Sequence, residues 1–452
     1  MKKVLAILLV ALMLLPTLAL AEGADITSWI LEDDTSISGE ISFWMPFKGS
    51  QGMDALIAEF NETYPNIKVN LSTYNNNADG NLSVNTSIMA GEVDVLASFG
   101  LSIAYKRWES GLYEDLTDLV EEEQIDLIAN WGSDVFKYDD CIYTFPCGGL
   151  SYHVAINMTA WEKAGLGALP TEWTWDEYLA ASKAMTEYNE DGTVKVYGGS
   201  SYHSQNYYTY VYGSVVGKNA YYDEDGTSSF DNPIMIDALK TEYQAEVVDK
   251  IWFPKSVYRG DNLQAQQTFL VERTTNSSLT PNMVRFIPDT ENYGVDFITG
   301  FAPWPVLEKG QINYMSGVSP FSHAGICIKD GRTEEEFAAC WAFLKWYSTY
   351  GVRYLAAAGH QPNWAGTEAG SALSLLFGSE EEAAKYVDVE SFKRVVGVAT
   401  NPTYYEDVLT AYADINSHMS EYTMYALNDT MTPEAALAEL TKLADEAIEK
   451  AK

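Results

Sequence analysis

Cysteine, histidine and positive charge are all scarce in this sequence of 452 residues. Four cysteines are too few for disulfide bonds to define the fold of a chain of this length. The five histidines are scattered, and neither they nor the cysteines show the spacing that metal ligands require. No glycine-rich phosphate loop occurs either. We therefore expect neither a metal site nor a cofactor.

The shortage of positive charge excludes one class of partner. Lysine and arginine total 28 against 64 aspartates and glutamates, which gives a formal net charge of −36. A protein that binds nucleic acid neutralises phosphates with surplus basic residues. Nucleic acid is therefore excluded as a partner, and a highly anionic ligand is disfavoured. Such acidity is typical of a protein that stays soluble through self-repulsion, and we expect a monomer.

Long apolar runs are also missing, except at the start of the chain. Two lysines precede the apolar run Val4–Leu15, and Ala19–Ala21 supplies the small-x-small pattern that signal peptidase reads. The run is short for a membrane span, so we predict that residues 1–21 form a signal peptide and that the mature chain begins at Glu22. No cysteine follows the run, which argues against a lipid anchor. The protein should be soluble and either periplasmic or extracellular.

Strand-like and helix-like patterns alternate along the rest of the chain. With 47% hydrophobic residues the protein can bury large cores. The segments Glu40–Trp44, Ile67–Leu71 and Val93–Phe99 have the pattern of strands. Between them, Met53–Phe60 carries apolar residues at i, i+3, i+4 and i+7, and a second, polar helix is expected to end near Ala90. This order predicts an α/β fold with a mainly parallel sheet and helices on both faces.

Helix start signals are clear in the second half. Thr174 with Glu177, and Thr333 with Glu336, have the spacing of capping boxes, in which each side chain bonds the other residue's backbone amide. The dipeptide Thr432–Pro433 supplies an N-cap and a proline at the first helical position. The chain is therefore predicted to end in a packed helix.

A series of motifs, in order along the chain, resembles the extracellular solute-binding proteins of ABC importers, of the sugar-binding type related to maltose-binding protein. No single motif is specific, but the ordered set covers nearly the whole mature chain. The motifs are Ile41–Trp44, Met53–Pro65, Ile88–Leu96, Gly111–Val120, Tyr143–Pro146, Val154–Asn157, Trp161–Leu166, Thr174–Glu177, Ile251–Pro254, Phe301–Pro305, Cys340–Tyr347, Gly359–Pro362 and Thr432–Leu437.

The resemblance implies a two-lobed fold of the periplasmic-binding-protein type II, with the ligand in a cleft between lobes joined by several hinge crossovers. By position along the motifs, lobe one comprises residues 38–148 and 318–362, and lobe two comprises residues 149–317 and 363–452. Binding residues then lie at strand ends and crossovers, where open α/β sheets usually hold ligands.

The sequence departs from the family pattern at three places. Val93 stands where the family usually has proline, and Glu272–Arg273 replaces the customary Gly-Lys before a late binding loop. The dipeptide His360–Gln361 before Pro362 is also unusual for the family. These departures leave the identity of the ligand open, including a non-sugar solute, and they bear less on the class of protein.

Candidate ligand residues follow from aromatic platforms and planar polar groups, which suit the ring faces and hydroxyls of sugars. Each has an ordinary alternative: the aromatic residues as core, the polar ones and the glycines as turns. In lobe one and its crossover they are Phe47, Lys48, Tyr74, Asn75, Ser98, Phe99, Gly148 and Gly149. In lobe two and beyond the third crossover they are Gln205, Asn206, Tyr207, Trp252, Thr280, Asn282 and Trp364.

Two cysteines are close enough in sequence to bridge a small loop. Cys141 and Cys147 are separated by five residues, and an oxidising compartment would permit a disulfide between them. The sequence leaves open whether they are bonded.

The resemblance implies a binding protein without catalytic activity, which captures a carbohydrate by closing its lobes and hands it to the permease of an ABC transporter with a separate ATPase. The rival hypothesis is a secreted glycoside hydrolase, which needs two carboxyls across a glycosidic bond. With 64 acidic residues such pairs arise by chance. Neither a Gly-x-Ser-x-Gly elbow nor an eight-unit barrel pattern is present. An adhesive surface protein is a third, weaker alternative.

Overall fold

The fold is described from a computed structural model that covers residues 34–46, 52–132, 137–201, 207–218, 227–279, 281–367, 371–396, 403–405 and 411–451. The predicted signal peptide, residues 1–21, lies outside these ranges.

The first lobe is built on a five-stranded sheet. Its strands are β1 (Gly39–Pro46), β2 (Ile67–Tyr74), β3 (Val95–Phe99), β6 (Phe145–Leu150) and β12 (Ser319–Ile326), in the spatial order β2-β1-β3-β12-β6. β1 is parallel to β2 and β3, whereas β12 is antiparallel to β3 and β6. All strands except β12 therefore point the same way, which confirms a mainly parallel sheet.

Helices cover this sheet on both faces. They are α1 (Met53–Thr63), α2 (Ala78–Met89), α3 (Leu101–Glu109), α4 (Thr117–Glu122), α5 (Leu127–Trp131) and α14 (Glu334–Ser348), followed by a 3-10 helix (Tyr350–Ala358). A short hairpin of β4 (Lys137–Tyr138) and β5 (Cys141–Ile142) precedes β6.

The second lobe is built on a smaller antiparallel sheet. β7 (His153–Asn157) lies between β10 (Asn276–Leu279) and β11 (Thr299–Pro303) and is antiparallel to both. A separate hairpin pairs β8 (Glu187–Tyr188) with β9 (Val194–Val196).

Most of the second lobe is helical. Its earlier helices are α6 (Met158–Lys163), α7 (Trp175–Met185), α8 (Tyr207–Val216), α9 (Pro233–Tyr243) with a π-helical turn (Gln244–Val248), α10 (Lys255–Gly260), α11 (Gln266–Phe269), α12 (Pro281–Val284) and α13 (Thr290–Tyr293). A 3-10 turn (Tyr314–Ser316) precedes β12, and the last helices are α15 (Ser371–Phe377), α16 (Glu380–Ala383), α17 (Val389–Val395), α18 (Tyr412–Leu427) and α19 (Pro433–Ala451).

The predicted caps are present and explain where several helices begin. The Thr174–Glu177 and Thr333–Glu336 capping boxes are both complete. Thr432 Oγ1 accepts the Ala435 amide at 3.2 Å, and Pro433 is the first residue of α19. Each cap satisfies amides that have no partner within the helix, and this contributes about 1 kcal/mol.

Separate apolar cores support the two sheets. In the first lobe Phe43 of β1 packs edge-on against Phe343 and Tyr347 of α14, with ring centroids 4.9 and 5.0 Å apart. In the second lobe Val154 and Ile156 of β7 join the core formed with α7, α9 and the terminal helices. Burial of one such aromatic or aliphatic side chain stabilises the fold by about 1.5–3 kcal/mol.

The chain passes between the two sheets in short steps. Only Ser151 and Tyr152 separate β6 from β7. The return passage runs from β11 to β12, and a third segment follows the 3-10 helix that ends at Ala358. There Gln361 and Gly149 exchange two backbone hydrogen bonds, of 2.8 and 2.9 Å. The lobe boundaries given above, at residues 148, 318 and 362, remain a prediction.

Candidate functional site

The carboxyl ends of the first-lobe strands bring together several of the predicted site residues. Tyr74 ends β2, and its hydroxyl donates to the Ala97 carbonyl at 3.0 Å and lies 3.3 Å from Ser98 Oγ. Tyr74 and Ser98 are both buried, whereas the neighbouring Asn75 is exposed. β1 ends at Pro46, and the predicted residues Phe47 and Lys48 lie outside the described ranges.

A buried arginine holds Ser98 in place. Arg107 of α3 is only 1% exposed, and its guanidinium donates to Ser98 Oγ at 2.5 Å and to the side-chain oxygens of Asn81 and Asn85 at 2.8 Å each. All three acceptors are neutral. The arginine therefore fixes the end of β3 against α2 through charge-assisted bonds, although sequence reasoning did not select it.

Phe99, the last residue of β3, is part of an aromatic wall. Its ring lies 4.4 Å from the His360 imidazole and 5.7 Å from the half-buried ring of Phe321. His360 Nδ1 lies 2.9 Å from Ser322 Oγ, and burial lowers the pKa of this histidine to about 4. The imidazole is thus neutral at pH 7, and the three rings, which are tilted by 31–33° to one another, form an uncharged and largely buried group.

The crossover glycines are needed for close packing. A Cβ on Gly148 would lie 3.1 Å from Leu355 Cδ1 and 3.5 Å from His360 Cβ. A Cβ on Gly149 would overlap the Ser319 carbonyl oxygen. Because neither glycine has a Cβ, β6 can approach the third crossover closely enough for the backbone pairing of Gly149 with Gln361.

The predicted residues of the second lobe lie in an aromatic core. Tyr207 and Trp252 are 2% and 1% exposed, and their rings are 5.3 Å apart. Tyr207 also contacts Trp175 edge-on at 4.9 Å, and Trp175 contacts Trp304 at 5.3 Å. The structure therefore places these side chains in the packing of the lobe, with almost no surface open to a ligand; their role in binding remains a prediction.

Trp364, two residues beyond the predicted boundary at residue 362, packs in the apolar core that supports the first-lobe sheet. It is 2% exposed, its Nε1 donates to Asn130 Oδ1 at 2.9 Å, and its ring lies 5.1 Å from Tyr350. A side chain with so little accessible surface cannot serve as an open stacking platform in this conformation. The predicted Gln205, Asn206 and Thr280 lie outside the described ranges; Asn282 belongs to α12, and its side chain is not described.

The disulfide considered for Cys141 and Cys147 is not formed. Both residues are free thiols. Cys147 is fully buried in the first-lobe core, and burial raises the pKa of its thiol. Cys141 is half-buried on the β4–β5 hairpin beside Asp115. The two side chains therefore occupy different environments, and nearness in sequence does not bring them together.

Several polar side chains at the crossovers were missed by the sequence reasoning. Ser151, His153, Gln361 and Asn363 are at most 3% exposed, and their side-chain polar atoms have no hydrogen-bond partner in the part of the chain that the structure describes. The sequence signals were the predicted crossovers near residues 148 and 362 and the motif Gly359–Pro362. Residue type alone favoured Trp364 as a ligand contact over the amide side chains of Gln361 and Asn363, which lie on either side of Pro362.

Metal-binding clusters and membrane-spanning helices are absent from the described ranges. There, no group of three or more His, Cys, Asp or Glu residues is arranged to hold a metal ion. None of the helices described is both long and apolar enough to cross a membrane.

Comparison with known families identifies the class of protein. The sequence model described as bacterial extracellular solute-binding protein matches residues 47–354. The match spans more than half of the chain, so the protein belongs to this family. This confirms the resemblance inferred from the motifs. No curated protein matches the sequence.

Solved structures show the same two-lobed fold at low identity. A sugar transporter protein from Rhizobium etli, in an open conformation, is 15% identical with a TM-score of 0.73, covering 90% of this chain and 99% of that one. Maltose-bound MalE3 from T. maritima is 18% identical with a TM-score of 0.61, covering 89% and 98%. UgpB from Mycobacterium tuberculosis, in complex with glycerophosphocholine, is 15% identical with a TM-score of 0.62, covering 91% and 99%.

Proposed function

We propose that this protein captures a carbohydrate outside the cytoplasmic membrane and delivers it to the permease of an ABC transporter. The observation that carries the proposal is the meeting of strand ends and crossovers beside the wall formed by Phe99, His360 and Phe321. Flat, uncharged rings next to amide side chains suit the apolar faces and paired hydroxyls of a sugar ring. The similar MalE3 is bound to maltose, which supports a sugar.

Binding is expected to work by closure of the lobes. The ligand contacts both lobes only when the crossovers bring them together, so it shifts the population towards the closed form. The short passage at Ser151 and Tyr152 and the glycines before it can absorb the change in backbone dihedral angles. The lobes are those bounded at residues 148, 318 and 362. The closed monomer then docks on the permease, whose energy comes from a separate ATPase.

We infer that the protein has no catalytic activity of its own. The side chains gathered at the crossovers are serine, histidine, glutamine and asparagine, and hydrolysis of a glycosidic bond needs a pair of carboxyls instead. Export through residues 1–21 and release from Glu22 fit a family described as extracellular.

A thermal-shift screen with carbohydrates tests the proposal. The chain from Glu22 is heated with mono- and oligosaccharides, and a ligand at a hundredfold excess over Kd should stabilise it by about 2.7 kcal/mol. The same mixtures are then separated by chromatography. A shift with recovery of the intact sugar supports a binding protein. Consumption of the sugar would support the glycoside hydrolase instead, and the absence of any shift would contradict the carbohydrate assignment.

A further inference from the structure

A buried arginine at the carboxyl ends of the first-lobe strands has only neutral partners among the residues that the structure describes. Arg107 of α3 is 1% exposed, and each of its three guanidinium nitrogens donates to a different side-chain oxygen of serine or asparagine. A buried cation is costly unless it is well paired, and carboxylates are abundant in this chain, which has 64 acidic residues. Neutral acceptors at this position therefore need a physical explanation.

Other deeply buried cations of the described chain do have carboxylate partners. Three further side chains of lysine or arginine are at most 4% exposed and form ion pairs of 2.5, 2.8 and 3.2 Å, which are Lys255–Glu242, Lys345–Glu123 and Arg332–Asp94. Burial alone thus does not distinguish Arg107 from these cations. The difference lies in what the arginine bonds.

Arg107 joins the ends of two neighbouring strands. Its Nη1 donates to Ser98 Oγ, on the next-to-last residue of β3, at 2.5 Å. Its Nη2 and Nε donate to Asn81 Oδ1 and Asn85 Oδ1, one turn apart on α2, at 2.8 Å each. Because α2 begins at Ala78, shortly after β2 ends, the arginine ties the end of β3 to the segment that follows β2.

This network occupies the hydroxyl groups at the strand ends. The Tyr74 hydroxyl donates to the Ala97 carbonyl at 3.0 Å. The Ser98 hydroxyl, 3.3 Å from that of Tyr74, therefore donates to Tyr74 while its oxygen accepts from Arg107. A hydroxyl has a single hydrogen, so neither Tyr74 nor Ser98 has one left for a ligand in this conformation. Both side chains are also buried.

The arginine also fixes the direction of the Asn81 amide. A guanidinium donates and cannot accept, so the oxygen of Asn81 faces Arg107 and its NH2 group faces away. On that far side Asn81 Nδ2 donates to the Asn77 carbonyl and to Asn76 Oδ1, both at 2.9 Å. An amide can accept on one side and donate on the other, whereas a carboxylate only accepts. This is the physical reason for a neutral partner.

The segment that Asn81 holds is an exposed turn, residues 75–77, which we call the asparagine turn. Within it the Asn77 amide donates to the Asn75 carbonyl at 2.9 Å, and Asn77 Oδ1 accepts the Gly80 amide at 2.9 Å. A Cβ on Gly80 would overlap the Asn75 carbonyl oxygen. The turn therefore packs directly on the start of α2, and its shape depends on the contacts made there.

We propose that Arg107 is a positioning residue for the binding site. Acting through Asn81, it sets the conformation of the asparagine turn, which carries the predicted ligand residue Asn75. The proposal rests on the proposed function and deepens it, because it assigns the pre-organisation of the first-lobe binding surface to a buried side chain that contacts no ligand. A turn already held in one conformation loses less entropy when a ligand binds.

Two carboxylate substitutions on α2 separate positioning from stability. Asn81→Asp keeps an oxygen facing Arg107 and gives it a charge, but it removes the donor to the asparagine turn. Asn85→Asp, the matched control, gives the same arginine the same charge, and Asn85 has no described bond to the turn. Both variants should melt at or above the temperature of the wild type, because each supplies Arg107 with a carboxylate partner.

Two measurements then report on the turn. In the unliganded chain, hydrogen–deuterium exchange of peptides covering residues 75–81 should be about tenfold faster in Asn81→Asp and unchanged in Asn85→Asp. The Kd for a trisaccharide that stabilises the wild type, drawn from maltotriose, mannotriose and cellotriose, should rise about tenfold in Asn81→Asp and stay unchanged in Asn85→Asp.

Replacement of Arg107 tests the first link of the network. Arg107→Met removes all three donors, so the Asn81 amide is free to turn. The variant should show the same faster exchange at residues 75–81 and the same rise in Kd, together with a lower melting temperature. If Arg107→Met does not fold, the two aspartate variants still decide the outcome.

The outcomes distinguish this inference from the proposed function. Exchange and Kd equal to those of the wild type in Asn81→Asp would show that the turn keeps its shape without the bond and would overturn the inference. Equal changes in Asn81→Asp and Asn85→Asp would also overturn it, because the added charge would then be the cause. If the wild type binds no carbohydrate, the proposed function is wrong, and the exchange rates alone decide whether Arg107 positions the turn.

Discussion

A buried carboxyl in the second lobe should make the protein less stable in mildly alkaline solution. Glu246, in the π-helical turn after α9, is 8% exposed, and its Oε1 accepts the Lys255 amide at 2.9 Å. Burial, reinforced by the charge of Glu242, raises the pKa of Glu246 to about 8, against the opposing effect of Lys255 and Arg259. Lys255 is already paired with Glu242, at 2.5 Å between two side chains with no exposure.

The sign and size of the effect follow from proton linkage. In the unfolded chain a glutamate has a pKa near 4.3. Between this value and about 8 the folded state therefore holds a proton that the unfolded state has lost. Stability is fully present below the unfolded pKa and is lost as the pH rises through the folded one. From pH 5 to pH 8 the contribution of Glu246 to the free energy of unfolding should fall by about 3–4 kcal/mol.

Chemical denaturation of the wild type and of Glu246→Gln, at pH 5 and pH 8, measures this contribution. The variant keeps a neutral side chain with an acceptor oxygen, so it should match the wild type at pH 5 and exceed it by about 3 kcal/mol at pH 8. The exposed carboxyl of Glu291 provides the control, and Glu291→Gln should follow the wild type throughout. Parallel curves for the wild type and Glu246→Gln would show that Glu246 is ionised in the folded protein and would refute the reasoning.

Other predictions follow from the site. Gly149→Ala places a Cβ against the Ser319 carbonyl and should lower the free energy of unfolding, measured by denaturant titration, by more than about 2 kcal/mol. A smaller decrease would mean that the backbone of the crossover can shift to make room. Trp364→Phe leaves Asn130 Oδ1 without its donor and should lower the free energy of unfolding by about 1–2 kcal/mol; no change would show that the bond is dispensable. The pKa values of His153 and His360 are lowered to about 3 and 4. Because each histidine is protonated first in the unfolded chain, each should lower the free energy of unfolding by about 2 kcal/mol between pH 6.5 and pH 4.5. Replacing either histidine with phenylalanine should therefore make stability depend less steeply on pH in this range. All four cysteines should react with a thiol reagent in denaturant without prior reduction, and reaction of fewer than four would point back to the Cys141–Cys147 disulfide that the sequence left open.

The sequence was sufficient to predict how the elements alternate and where several helices begin. The first strand was predicted at Glu40–Trp44 and lies at Gly39–Pro46, and its buried residues alternate as the pleat requires. The Thr174–Glu177 capping box was predicted from spacing alone and is complete. These features depend on residues close together in sequence, so a local pattern contains the information.

Candidate ligand residues are harder to predict, because residue type does not reveal how buried a side chain is or which partners it has. Trp364 and Asn363 are adjacent, and the aromatic residue is the usual candidate for stacking on a sugar. Its indole, however, is already bonded to Asn130, 234 positions earlier in the chain, whereas the amide of Asn363 is bonded to nothing described. Only the three-dimensional arrangement of the crossovers separates the two. The same reason applies to Trp252, whose ring is enclosed by Tyr178 and Tyr207.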